Sequence, residues 1–294
     1  MLHVALMPGG GPADLPDILR LALGRGTVAT CVGRSRHFAT LWEPLCAAVL
    51  NTSPDEAAAA PLTRVLRATL LAGGPASRPH VARRGLGPAL VEPALARLET
   101  LGARLRFGAR LRRLDADCLE FGDESRRLEP GDRVVLAVPP AQAATLLPGL
   151  PELPGSPIVN AHFRLDQPPA MADGPMLGLI GGVAQWLFLR DDVLTVTVSA
   201  ARDLVAMAPG QIAARLWRDA AAALALGGPI PPVRVVKERR ATLLHTLPVE
   251  RLRPSAATGL PTVFLAGDWT ATGLPCTIEG AIRSGRTAAH MACR

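Results

Sequence analysis

The sequence predicts a mixed α/β fold of the α+β kind: helices first, an antiparallel sheet next, then a buried strand, a tight loop and a helix. Three observations predict it. Residues 11–27, 38–50 and 55–72 space their apolar side chains as helices do. Residues 158–165 and 193–198 alternate apolar with polar side chains, as strands with one wet or ligand-facing side do. Val263-Phe264-Leu265-Ala266 is apolar in succession, which predicts a strand covered on both faces and flanked by parallel neighbours.

In chain order, Pro16 begins a short helix carrying Ile18, Leu19, Leu21 and Leu23. Residues 38–50 continue around Trp42, Leu45 and Leu50, and residues 55–72 are rich in Ala and Leu. After a Gly/Pro/Ser loop at 73–79, Pro88 opens a helix that runs to Leu101 and ends at Gly102. Residues 103–107 and 109–114 read as short strands about Gly108. Residues 134–138 are apolar on both faces and stop at Pro139-Pro140, the pattern of a buried strand. Asp191-Asp192 reads as the turn joining strands 185–190 and 193–198. Pro209 opens an amphipathic helix with Ile212, Leu216, Ala220 and Leu224 on one face, and residues 233–238 form another strand.

Composition narrows the function classes. A chain of 294 residues with 49% hydrophobic content builds a real core, although Tyr is absent and Leu, Val, Ala and Ile must fill it. The net charge of +7 comes almost wholly from arginine, Lys237 being the only lysine. These charges are scattered and not interleaved with aromatics, which argues against a nucleic-acid partner and leaves weak attraction to an anionic membrane surface. Five cysteines without a CxxC pair fit neither a disulfide framework nor a zinc site, and no metal site is expected. No signal peptide or transmembrane run is read, so the expected location is cytoplasmic or peripheral at the inner membrane surface.

The stretch from Val263 onward carries the chemistry. Gly267 lets backbone approach a ligand, and Asp268 stands at the end of a buried strand, where α/β folds bind ligands. Thr277-Ile278-Glu279-Gly280 opens a helix whose unpaired amides suit an electron-rich carbonyl or an anion. Gly280, Ala281, Ser284, Gly285 and Ala288 keep one side of that helix thin, and Glu279 and Arg283 stand at a favourable i,i+4 spacing.

The string Leu265-Ala266-Gly267-Asp268-Trp269-Thr270, with Thr277-Ile278-Glu279-Gly280-Ala281 and Arg283-Ser284-Gly285, resembles the C-terminal flavin motif of the amine-oxidase and phytoene-desaturase superfamily. Leu41-Trp42-Glu43-Pro44, Pro157-Ile158-Val159-Asn160, Gln185-Trp186-Leu187-Phe188 and Val236-Lys237-Glu238-Arg239-Arg240 resemble, in that order, the hydroxysqualene dehydroxylase branch of bacterial hopanoid synthesis. The resemblance implies a partial, discontinuous FAD-binding Rossmann-like domain with a helical and antiparallel-sheet substrate domain. Residues 80–150 and 257–294 are assigned to the former, residues 1–79 and 151–256 to the latter. It implies FAD as cofactor, with Gly267, Asp268, Thr277, Ile278 and Glu279 around it: Asp268 at the ribityl or pyrophosphate region, and the Thr277 and Ile278 amides at the pyrimidine side. It places Leu111 near the adenine. It implies an isoprenoid lipid substrate, hydroxysqualene reduced to squalene, with carotenoid desaturation and amine oxidation as rival activities.

Trp42 reads as a wall of a substrate pocket or, in preference, as core, Trp186 equally as the floor of an isoprenoid pocket or as core, and Lys237 as a functional side chain or a member of a surface ion network. His162 and Arg164 read as solvated residues of a half-wet strand. No catalytic residue is assigned. The GxGxxG unit that such enzymes carry first is not found; Gly9-Gly10-Gly11-Pro12 reads as a loop. The expectation is therefore a truncated or split-gene piece that binds FAD weakly alone. Such a piece leaves the Val263–Ala266 edge open to a separately encoded βαβ fragment or to self-association.

Overall fold

The computed structural model describes residues 15–294 apart from 79, 83, 123, 172 and 173, so the Gly9–Pro12 run lies outside the described residues. Five helices come first: α1 (Leu15–Ala22), α2 (Val28–Val32), α3 (Glu43–Leu50), α4 (Ala59–Ala68) and α5 (Glu92–Thr100). Wider π turns at Phe38–Trp42 and Gly87–Val91 lead into α3 and α5. In both cases a proline, Pro44 or Pro93, stands second in the following helix. Its missing N–H removes an ordinary i→i−4 bond at the junction. Leu21, Val28, Trp42, Leu50 and Leu62 close the core of this helical part.

Next come strands β1 (Arg113–Leu114), β2 (Cys118–Phe121) and β3 (Glu124–Arg127), a small antiparallel sheet, then β4 (Val134–Leu136) and helix α6 (Pro140–Leu146). The middle of the chain supplies β5 (Gly155–Arg164), β6 (Met176–Gly178), β7 (Trp186–Arg190), β8 (Val193–Val198), helices α7 (Arg202–Val205) and α8 (Pro209–Leu224), and β9 (Val233–Leu243). These strands form one antiparallel sheet in the order β6-β7-β8-β5-β9. Val159, Ala161 and Phe163 of β5 turn the same way as Val196 and Leu194 of β8 and pack on Ile212, Leu216 and Trp217 of α8. Asn160, His162, Thr195 and Thr197 occupy the other face, as their alternation predicts.

Helix α9 (Leu247–Leu252), strand β10 (Val263–Leu265) and helix α10 (Ile278–Ala292) follow. Strand β10 pairs in parallel with β4, Val263 opposite Val134 and Leu265 opposite Leu136. Their core joins Leu114, Leu136 and Leu146 to Leu243, Val249, Leu265 and Trp269.

Two expectations change. Residues 103–107 form no strand, and of 109–114 only Arg113 and Leu114 pair. Extended apolar-polar alternation without a partner strand has nothing to bond its backbone, and Phe107 is 79% exposed. The β10 edge is not left open either. Val263, Phe264, Leu265 and Ala266 are all buried. Ala257 bridges Phe264 from the side away from β4, and the Leu265 amide donates to the Ala256 carbonyl at 2.7 Å. The apolar surface that does lie exposed is elsewhere: Leu86, Leu90, Val91, Leu98 and Leu101 along and beside α5, Val135 of β4, and Ile278 and Ile282 of α10. Helix α5 buries none of its residues.

Candidate functional site

Because β4 and β10 run in parallel, their ends open on the same side and place Val138-Pro139 beside Gly267-Asp268. A cavity of about 1040 Å³ begins there. One wall is largely aliphatic and proline-rich, from Val138 to Ala141 and from Leu150 to Gly155, with Gln142 and Glu152 as its polar members. The opposite wall is the later part of β9, from Arg240 to Leu243. Gly267, Asp268, Trp269, Cys276 and Ala281 complete it.

The loop after β10 is built around Trp269. Gly267 has φ +145, and a Cβ there would stand 2.4 Å from the indole nitrogen of Trp269. The space that the sequence reading reserves for a ligand at Gly267 is therefore also claimed by the indole, whose N–H donates to the Val138 carbonyl at 3.0 Å. The Gly267 amide donates to Ser284 Oγ at 3.0 Å, and Ser284 Oγ meets Thr270 Oγ1 at 2.7 Å. The thin side of α10 is thus Gly280, Ser284 and Ala288, all buried, while Ala281 faces the cavity. Glu279 and Arg283 form the expected pair on the exposed side, 2.6 Å apart.

Helix α10 starts at Thr277, whose hydroxyl accepts the Gly280 amide at 3.1 Å. Among the described residues the amides of Thr277, Ile278 and Glu279 make no hydrogen bond. A Cβ on Gly280 would come within 2.9 Å of the Pro275 carbonyl and 3.8 Å of Asp268 Cβ, so the helix start sits directly against the Asp268 loop. Free amides at a helix start, beside a carboxylate at a strand end and an apolar cavity, are the donor set that a flavin's oxygen-rich edge and ribityl hydroxyls require, so the residues fit the group. Burial pushes the Asp268 carboxyl above the usual carboxylate range, against the pull of Arg253. Burial, with the Asp268 charge adding to it, pushes the Cys276 thiol up to about 12, which keeps it protonated and unreactive.

Behind the loop stands a cluster that no motif announced. His245 is fully buried; its Nε2 accepts the Cys276 amide at 3.0 Å and its Nδ1 lies 2.6 Å from Glu250. Arg253 bonds Glu250 and the carbonyls of Asp268, Thr270 and Leu274. Burial alone would raise the Glu250 carboxyl, but the His245 hydrogen bond and the Arg253 charge outweigh it and hold it below its usual range. The i,i+3 spacing of Glu250 and Arg253 behind the Thr246 cap was the available signal, and it looks like any surface helix pair.

The remaining predicted residues disperse. Leu111 packs on the core that contains Leu136, Leu265 and Trp269. Trp42 is buried in the helical core and donates its indole N–H to Ser35 Oγ at 3.2 Å. Trp186 lies on the open face of the large sheet, 6.4 Å from the Phe188 ring. Lys237 pairs with Val159 and so turns to the α8 face, where its ammonium donates to the Met207 carbonyl. None of these four lines the cavity. His162 bonds Thr195 Oγ1 at 2.9 Å, and burial, helped by Arg234, lowers its pKa.

Comparison with known proteins decides the family. Residues 30–292 match the model of the flavin containing amine oxidoreductases. The chain belongs to that family. Among its curated relatives, the hydroxysqualene dehydroxylase of Sinorhizobium fredii is 48% identical over 259 residues, 86% of this chain and 61% of the relative. That of Rhodopseudomonas palustris is 46% identical over 256 residues, 84% of this chain and 60% of the relative. The chain thus spans about three-fifths of the length of the curated relatives it matches. Solved structures share the mixed α/β fold of this flavin family. Putrescine oxidase bound to putrescine superposes with TM-score 0.65 at 15% identity over 98% of this chain and 77% of that one. Cyclohexylamine oxidase from Brevibacterium oxydans gives 0.60 at 15% over 97% and 69%. No helix among the described residues is long and apolar enough to cross a membrane.

Proposed function

We propose that this chain supplies the ribityl and isoalloxazine half of an FAD site in a hydroxysqualene dehydroxylase, an oxidoreductase that reduces hydroxysqualene to squalene in hopanoid biosynthesis. The observation that carries the reading is Asp268 lining a cavity at the paired ends of β4 and β10, with the unbonded amides of Thr277, Ile278 and Glu279 lying in the chain between the lining residues Cys276 and Ala281. Gly267 and Asp268 hold the ribityl side, and the start of α10 holds the pyrimidine side, where its dipole favours negative charge by roughly 0.3–1 kcal/mol. Leu111 stands toward the adenine. A reduced flavin held by these residues would supply the hydride that replaces the hydroxyl at the allylic centre, the hydroxyl leaving as water with a proton taken from solvent. The aliphatic and proline side chains of Val138–Ala141, Leu150, Pro151, Leu153 and Pro154 accept an isoprenoid chain, while Gln142 and Glu152 are the polar members of that wall. The net charge of +7 supports peripheral contact with the anionic membrane surface that holds such a lipid.

The pyrophosphate half of the site is supplied by a βαβ unit bearing GxGxxG, joined to this sequence or separately encoded. The exposed apolar run along α5 is the surface that such a unit covers; self-association through it is the alternative. The test adds the remaining N-terminal residues of a hydroxysqualene dehydroxylase relative to this chain, with FAD. A yellow complex that converts hydroxysqualene to squalene is expected, against weak flavin uptake by the chain alone. A complex that takes up no flavin overturns the reading.

A further inference from the structure

His245, Glu250 and Arg253 line no part of the cavity, yet each bears on the loop from Asp268 to Cys276. Arg253 is the hub. Its Nη2 donates to the carbonyl oxygens of Asp268 and Thr270, both at 2.6 Å, and its Nη1 to that of Leu274 at 2.7 Å. His245 Nε2 accepts the Cys276 amide, so the ring proton sits on Nδ1 and is donated to Glu250. Glu250 closes the circuit on Arg253 Nη1 at 3.1 Å.

Burying ionisable groups costs several kcal/mol unless each is satisfied, and here they satisfy one another and the backbone. The result is a loop pinned at positions 268, 270, 274 and 276 from behind. His245 is itself fixed: its amide donates to Thr52 Oγ1 at 3.0 Å and its carbonyl accepts the Ala58 amide at 2.7 Å. Cys276 precedes the cap Thr277, so the direction of its N–H governs where the next amides point.

We propose that His245, Glu250 and Arg253 are positioning residues for the flavin: acting through the Asp268–Cys276 loop, they aim the amides at the start of α10 at its pyrimidine side. The inference rests on the flavin reading of the cavity. In hydrogen exchange on the full chain, His245→Phe and Arg253→Lys speed exchange of the bonded amides between residues 270 and 276 by about tenfold or more, with β5 and α8 unchanged. His245→Gln, which keeps an acceptor toward Cys276, stays near wild type and guards against a variant that simply fails to fold. In the complex with the relative's N-terminal residues, the bound flavin's reduction potential falls in His245→Phe and is restored in His245→Gln. Unchanged loop exchange, or exchange that rises equally everywhere, overturns the proposal. Bound flavin with the same potential in every variant overturns this role alone. A wild-type complex without flavin overturns the cofactor reading and this role with it.

Discussion

Asn51 ties the helical part of the chain to the cavity wall, and its removal should be felt throughout. It is 2% exposed and follows α3 in the left-handed region, with φ 48. Its side-chain nitrogen donates to the Ser156 carbonyl and to Thr242 Oγ1, each at 3.0 Å, and its side-chain oxygen accepts the Ala200 amide. Thr242 lines the cavity. Asn51→Ala removes all three bonds. The Ala200 amide, left without a partner, costs about 1–3 kcal/mol, and the two donated bonds about 0.5–1.5 kcal/mol each. Alanine also meets a left-handed backbone that asparagine tolerates, adding about 1 kcal/mol. The expected loss is about 3–7 kcal/mol, and Asn51→Gly should recover about 1 kcal/mol of it, because glycine adopts that backbone freely. Urea melts followed by tryptophan fluorescence give both numbers, provided the slope is unchanged. A loss below about 1 kcal/mol in the alanine variant, or a glycine variant less stable than the alanine one, would refute the reasoning.

Asp268→Ala should lower flavin content in the complex more than it lowers the melting temperature; the reverse pattern makes Asp268 a purely structural residue. At Gly273, with φ +75, a methyl group would stand 1.7 Å from Arg64 Nη1. Gly273→Ala should therefore cost about 1–2 kcal/mol or more, and Arg64→Ala in the same chain should return the steric share, leaving only the backbone cost. Glu250, held low, stabilises the fold above its unfolded value of about 4.3, and that contribution is lost as pH falls through the lower folded value. Glu250→Gln should accordingly flatten the acid limb of a stability-against-pH curve. Asp268 runs the other way: with its carboxyl raised, its contribution is present at low pH and lost as pH rises through the folded value. At pH 8 iodoacetamide should label exposed Cys293 in the native chain and leave Cys46 and Cys276, both pushed up to about 12, untouched; rapid loss of the Cys276 thiol would contradict its burial.

Periodicity read the fold well wherever a partner element lay close in the chain. The alternation of Val159, Ala161 and Phe163 located β5, and the spacing of Ile212, Leu216 and Ala220 located α8, because the two bury one another's faces. It failed between residues 103 and 112, where local pattern suggested strands but no strand ladder forms, and the Arg112 amide alone reaches β2, at the Glu120 carbonyl. The same limit applied to the site. Gly267, Asp268 and the start of α10 were legible because a strand, a tight loop and a helix cap are written in consecutive residues. The network of His245, Glu250 and Arg253 was not, since its meaning depends on carbonyls and an amide that fold back from residues 268–276. Lys237 drew attention as the only lysine, yet β9 alternation turns it away from the cavity toward Met207.

The two main cores also differ in how much chain must be closed to make them. The sheet from β5 to β9 with α8 draws its buried residues from one continuous stretch, Val159 to Ala220. The core beneath the cavity instead joins Leu114 and Leu136 to Leu265 and Trp269, across the whole of that sheet. Short closures form before long ones, because the entropy of bringing distant segments together must be met before any contact offsets it. The sheet, like the helical core drawn from Leu21 to Leu66, thus closes over a far shorter stretch than the core that brings β4 and β10 into register. The cavity has no independent existence on that route. It takes shape only where that long closure is made, with Trp269 on the Val138 carbonyl and Arg253 on the carbonyls of the loop.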